Sequence, residues 1–271
     1  MSFSGVVQLF AGKPVHPVGP DGKMALSDHL RELRGRIMKC ALVLTVAFII
    51  GLVFYDQIFG FIMGPYKHAQ QQLPGGTNSV ATVNGPGGPF LLYFKIAGLA
   101  AVVGTSPYWL YQIWAFILPG LHPHERRWSR VFAAIAGPLF IVGVIIGYVT
   151  LPKGLEVLIG FTPDSLTNLV EFSEYLSFLT RTLLVFGIAF EIPVFIVLLN
   201  LAGVVTAKKL AEHRAWIIIV VFVFAAIATP STDPFTMCFL AFPMVGLFLV
   251  SEVIARFNDR RRRRAREAAG L

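Results

Sequence analysis

The sequence predicts an all-α, polytopic membrane protein with six transmembrane helices and both termini on the cytoplasmic side. Three observations carry this expectation. Of the 271 residues, 55% are hydrophobic and only 14% charged, more apolar surface than a soluble domain could hide but well suited to a bilayer. The apolar residues gather in six segments, about Cys40–Tyr55, Phe90–Ile117, Val131–Leu151, Tyr175–Leu199, Ala215–Ala228 and Phe235–Ile254. Finally, Lys and Arg crowd the N-terminal region, the loops at 118–130 and 200–214 and the C-terminal tail, whereas the loops at 56–89, 152–172 and 229–234 carry only Lys67 and Lys153. By the positive-inside rule, that alternation places the first set in the cytoplasm. The net charge of +8 therefore speaks of topology and not of nucleic acid.

In chain order, residues 1–26 are rich in Gly and Pro and read as a flexible leader. They lack the basic-then-apolar pattern of a signal peptide, and Met24 is a candidate alternative start. Residues 27–39 are amphipathic, with Leu30, Leu33 and Ile37 on one stripe. Ser27 or Asp28 can cap this helix, which runs into the first span. Residues 56–89, with Pro65, Pro74 and the Gly85–Pro89 run, read as a long loop. Spans two and three flank a short charged loop containing Pro119-Gly120 and His124-Glu125-Arg126-Arg127. Span three carries Gly143 and Gly147, a spacing that allows close helix approach.

Residues 152–172 read as a second outer loop. Thr206 can cap a short helix after span four. Span five would reach only about 21 Å across a hydrocarbon core of about 30 Å. Asp233 and Pro234 fit an N-cap followed by Pro at the first helical position. The tail, residues 258–271, carries arginines at 260–264 and 266 and suits anionic headgroups. Cys40 and Cys238 fall in different spans toward opposite faces, so no disulfide is expected, and no Cys/His spacing suggests a metal.

Few residues offer chemistry. Glu191 sits well inside span four with Pro193 after it. A carboxylate in hydrocarbon costs a few kcal/mol, so it faces a cavity, a partner or an internal cation such as Arg181. Arg181 and Lys95 lie near outer helix ends and suit solvated anchors. Glu32 and Glu125 are acids inside basic cytoplasmic segments. They can form local ion pairs, or together grip a basic ligand on the same membrane face. No nucleotide-binding loop, nucleophile elbow or zinc-protease motif is present, so no enzyme and no cofactor is expected.

Five stretches carry a resemblance: HLRELRGR at 29–36, SPYWLYQIWAFILPGLHPHERR at 106–127, YLSF at 175–178, FGIAFEIPVFIVLL at 186–199 and ATPSTDPFTMCFLAFPM at 228–244. In this order they resemble TatC, the polytopic receptor subunit of the twin-arginine protein translocase, over residues 27–257. The resemblance implies a concave, glove-like helical bundle in the plasma membrane. It implies binding of twin-arginine signal peptides on folded cargo and assembly with TatA-like and TatB-like single-span partners. Self-association in the receptor complex and transport driven by the proton-motive force also follow from it. By motif position, Glu32 and Glu125 match the acids that contact the signal's arginines, and Arg34, Arg36, Phe116, Pro119, Leu121, Arg126 and Arg127 match the surrounding motif. Glu191 matches a membrane-embedded acid and Asp233 an outer-turn acid near the partner-docking span. Two other classes compete: a proton-coupled carrier using Glu191, which would call for a duplicated fold that the sequence lacks, and a passive scaffold whose acids are only structural.

Overall fold

The computed structural model describes residues 26–72, 79–117, 126–162, 168–201, 203–228 and 234–268. It is helical almost throughout, as expected. The elements are α1 (Leu26–Val53), α2 (Tyr55–Gln72), β1 (Ser79–Thr82), α3 (Gly88–Gly104), α4 (Ser106–Ile117), α5 (Arg126–Gly160), β2 (Asn168–Glu171), α6 (Phe172–Phe190), α7 (Ile192–Leu201), α8 (Ala207–Glu212), α9 (Arg214–Ala228) and α10 (Pro234–Ala268). Four stretches are long and apolar enough to cross a membrane: Leu30–Val53, Ala134–Gly160, Phe172–Leu201 and Met237–Arg264. The bent pair α3–α4 and the short apolar helix α9 complete a set consistent with six spans.

Three expectations change in detail. Residues 56–89 are not one loop: α2 and β1 lie within them. The helix forms because Ile62, Pro65, Tyr66 and Ala69 recur at helical spacing and are all buried. The loop at 152–172 begins later, because α5 continues to Gly160. Its buried Leu151, Leu155 and Ile159 keep the helical period through Pro152. The two loops then meet as a parallel pair of strands, β1 on β2, in register Ser79↔Asn168 to Thr82↔Glu171. This is the one departure from all-α structure among the described residues.

The third change is in span two, which is broken by 56° between α3 and α4. Pro107 has no N–H for the carbonyl of Val103, and in apolar surroundings such a carbonyl needs another donor. Ser106 Oγ donates to Val103 O at 2.7 Å, Trp109 Nε1 to Val102 O at 2.9 Å and Thr105 Oγ1 to Ala101 O at 2.7 Å. The segment brings its own donors to the break.

Contacts divide the chain into two units: residues 1–58 with 93–138, and residues 59–92 with 139–271. In the first, α1 packs on α4, Phe48 meets Phe94 with ring centroids 5.8 Å apart, and Tyr55 stacks on Tyr93 at 3.6 Å.

In the second unit, α5 and α6 approach closely where the Gly143/Gly147 spacing predicts it. A Cβ on Gly143 would lie 2.6 Å from Phe186 O, and one on Gly187 would lie 2.5 Å from the Phe140 ring. Around this seam Phe186, Ala189, Phe190, Val221, Ala225, Leu240, Ala241 and Met244 form the core. Pro65 in α2 deprives Phe61 O of its helical donor. Tyr148 Oη supplies the bond at 2.7 Å, and Tyr175 Oη donates to the next carbonyl, Ile62 O, at 2.5 Å. Two tyrosines of spanning helices thus repair and hold α2.

Candidate functional site

Of the predicted recognition residues, the structure brings Glu32 and Arg36 together on α1. They lie one helical turn apart, the spacing at which side chains meet. Arg36 donates to Glu32 Oε1 from Nε at 3.0 Å and from Nη2 at 2.5 Å. The pair is largely withdrawn from solvent, with side-chain exposures of 22% for Arg36 and 17% for Glu32. The third edge of the guanidinium is also engaged, since Nη1 donates to Gln112 Oε1 on α4 at 2.9 Å. Sequence reasoning missed Gln112. The signal available was a lone amide inside the aromatic run SPYWLYQIWAFI, where a buried polar group must find a partner.

Phe116 follows Gln112 by one turn and is half-buried, while Arg34 is exposed. Pro119, Leu121 and Glu125 lie outside the described residues. Arg126 and Arg127 open α5, and their side chains are likewise outside the description. The arrangement shows what the Glu32 carboxylate does chemically: it accepts a guanidinium in a partly dry, aromatic setting, where a charge-assisted bond is strong.

In the second unit, Glu191 occupies the break between α6 and α7. Its N–H bonds to Ile188 O at 3.0 Å, one residue short of the α-helical partner, and its own carbonyl accepts from Phe195 N at 3.0 Å. Pro193 just beyond it lacks the donor that would continue the helix. The carboxylate Oε1 is shielded inside the protein. Arg181 lies about 15 Å away along the helix axis, at 1.5 Å per residue. It lines a cavity of about 640 Å³ together with Tyr66, Glu171, Glu174 and Tyr175. Asp233 lies outside the described residues, and Pro234 opens α10 as expected. Cys40 and Cys238 are free, and Thr206 Oγ1 caps α8 by accepting from Lys209 N at 3.3 Å.

Two polar clusters at the other end of the second unit were not anticipated. Glu252, with a side chain only 3% exposed, accepts from Arg214 Nε at 3.0 Å, Arg214 Nη2 at 2.7 Å and Arg256 Nη2 at 2.5 Å. Beside it, buried Asn200 donates to Asp259 Oδ1 at 2.8 Å and to Val205 O at 3.0 Å, and accepts from Asn258 Nδ2 at 2.6 Å. Asp259 Oδ2 accepts from Ala207 N at 2.7 Å, satisfying the first turn of α8. Arg262 donates to the carbonyls of Asn200 and Leu201 at the end of α7. The basic extension of α10 is therefore built into the protein on one side. A sequence signal existed: Glu252 is an acid within the last apolar span, and Arg214 stands at the matching end of its neighbour.

Comparison with known proteins agrees with this fold. Residues 28–243 match the family model described as Sec-independent protein translocase protein (TatC). The chain is 42% identical to the Sec-independent protein translocase protein TatC of Frankia casuarinae, over 89% of this chain and 68% of that one. It is 38% identical to that of Xylanimonas cellulosilytica, over 91% and 90%. The Corynebacterium kroppenstedtii relative is also 38% identical, but the match spans only 64% of its length. A crystal structure of the twin-arginine translocase receptor TatC in the detergent DDM superposes with a TM-score of 0.72 at 31% identity, covering 84% of this chain and 99% of that one. On sequence and fold together, the chain belongs to the TatC family of Sec-independent protein translocases, membrane transport components and not enzymes.

Proposed function

We propose that this chain is the receptor subunit that binds twin-arginine signal peptides of folded cargo at the cytoplasmic face of the plasma membrane. In this reading both termini are cytoplasmic, residues 27–257 form the translocase domain, and 1–26 and 258–271 are a leader and a basic tail. Glu32 and Glu125 take the two guanidinium groups. Arg34, Arg36, Phe116, Pro119, Leu121, Arg126 and Arg127 shape the surrounding surface. TatA-like and TatB-like single-span proteins dock through regions that include Glu191 and Asp233, and the proton-motive force drives transport.

The observation that supports the site most directly is the Arg36–Glu32 contact. Glu32 already accepts a guanidinium through two N–H groups, in a setting of low exposure. An incoming arginine has the same donors and planar shape. Arg36, held also by Gln112, keeps the carboxylate oriented until the signal shares it.

The test is binding of a fluorescent twin-arginine signal peptide to the reconstituted protein, beside a Lys-Lys peptide. Glu32→Gln and Glu125→Gln are each expected to weaken the twin-arginine peptide about tenfold or more, the effect of losing one charge-assisted pair. Both variants should insert and melt normally. Unchanged affinity in both would remove these acids from the recognition site.

A further inference from the structure

The structure assigns an anionic-phospholipid headgroup site to one face of α10, formed by Arg260, Arg261 and Arg264. The helix runs without a break from Pro234 to Ala268, through and beyond the apolar span. At about 100° per residue, its two faces separate cleanly. Ser251, Glu252, Ala255, Asn258, Asp259 and Arg262 fall on one side. All of these except Asn258, Asp259 and Arg262 are buried outright, and those three bond to Asn200, Ala207 and Leu201. The opposite side, an arc of about 120°, presents Val250, Val253, Ile254 and Phe257, which are 42–62% exposed. The same arc then presents Arg260, Arg261 and Arg264, all exposed.

The arginine run is thus divided by helical phase. Arg256 serves Glu252, Arg262 caps α7 and Arg263 pairs with Glu267 at 2.8 Å. No ion pair among the described residues engages the other three. They continue the exposed apolar stripe of a helix long and apolar enough to cross a membrane, with Phe257 at its end. Arg260 and Arg261 lie about 5–6 Å above Phe257 and Arg264 about 10 Å above it, at 1.5 Å per residue. The first two stand at the depth of a headgroup layer, which takes up about 5–8 Å on each side of the hydrocarbon, and the long side chain of Arg264 can reach back to it. Guanidinium groups there meet phosphate oxygens bidentately, and the apolar stripe below them receives the same lipid's acyl chains. That continuity favours an anionic lipid over a soluble anion.

The full chain in neutral detergent would be titrated with phosphatidylglycerol and with phosphatidylcholine, and bound lipid counted by native mass spectrometry. Each basic residue at an anionic surface contributes about fivefold. Replacing all three arginines with Gln should therefore cut the preference for phosphatidylglycerol by at least tenfold, whereas Arg→Lys at all three should keep it within about threefold. Arg262→Gln should lower thermal stability and leave the preference unchanged. The site is refuted if the wild type shows no preference, if the triple Gln variant keeps it, or if Arg262→Gln loses it equally. Displacement of phosphatidylglycerol by millimolar inorganic phosphate would also overturn it, by showing a site for a free anion.

Discussion

Removing Arg214 should damage the protein more than removing the acid it serves. Glu252 is 3% exposed, whereas Arg214 and Arg256 are 43% and 49% exposed. Arg214→Ala takes away two of the three charge-assisted bonds to Glu252 and leaves Oε2 without its donor. Stranding a buried carboxylate costs about 3–5 kcal/mol. The remaining Arg256 bond at 2.5 Å holds the value near the lower limit, about 3 kcal/mol. Arg256→Ala breaks an i,i+4 pair to a more exposed arginine while Arg214 still satisfies both oxygens, so about 1 kcal/mol is expected. Glu252→Leu removes the buried charge itself and frees two arginines that reach water, which should cost about 1 kcal/mol or less. In the Glu252→Leu background, Arg214→Ala should then be nearly silent, giving a coupling of about 2 kcal/mol or more. Thermal unfolding in detergent can be followed by a thiol-reactive dye on the free cysteines Cys40 and Cys238. At about 2–4 °C per kcal/mol for a chain of this size, Arg214→Ala should lower the midpoint by about 6–12 °C. Equal shifts for the two arginine variants, or additive effects of Glu252→Leu and Arg214→Ala, would refute the buried-charge argument.

Three further outcomes follow. Tyr175→Phe should cost about 1–2 kcal/mol, because Ile62 O would lose a buried donor, and hydrogen exchange should rise in α2 ahead of the spanning helices. Gly187→Ala places a Cβ 2.5 Å from the Phe140 ring and should destabilise by about 1–3 kcal/mol; Gly187→Ala combined with Phe140→Leu should recover most of the loss in the same melt. Glu191→Ala should reduce co-purification of single-span partners more than it reduces signal-peptide affinity, as read on native gels beside the peptide titration; intact complexes with weakened peptide binding would reverse the assignment.

What was legible in the sequence is what depends on composition and period. Apolar segments, the bias of Lys and Arg, the Gly143/Gly147 approach and the Thr206 cap all follow from local residue chemistry. Glu32 and Glu191 stood out as acids in unfavourable company, a signal any single sequence carries. The partners that decide what those acids do were not legible. Gln112 is 76 positions from the arginine it holds: a lone amide in an aromatic run calls for a partner, but nothing local says which. Glu252, an acid inside the last apolar span, carried the same local signal as Glu191, but its chief partner is 38 positions away.

The prolines show why sequence rules misplaced the breaks. Pro65 and Pro152 each suggest a loop when read locally, since each withdraws one backbone donor. In a membrane that cost is decided elsewhere, by whether a side chain from another turn or another helix reaches the orphaned carbonyl. At Pro65 the hydroxyl of Tyr148, 87 positions from the Phe61 carbonyl it reaches, does so, and the helix survives. At Pro107 the donors are local: Ser106, Thr105 and Trp109. They satisfy the carbonyls in a bent geometry, so the span turns by 56° and α4, with Gln112 and Phe116, begins from that bend. At Pro65, then, the repair comes from another helix and the helix is continuous, whereas at Pro107 it comes from the segment itself and the span turns a corner. Ser106→Ala with Thr105→Val tests the second half: the corner should loosen, and contact between Gln112 and Arg36 should weaken with it.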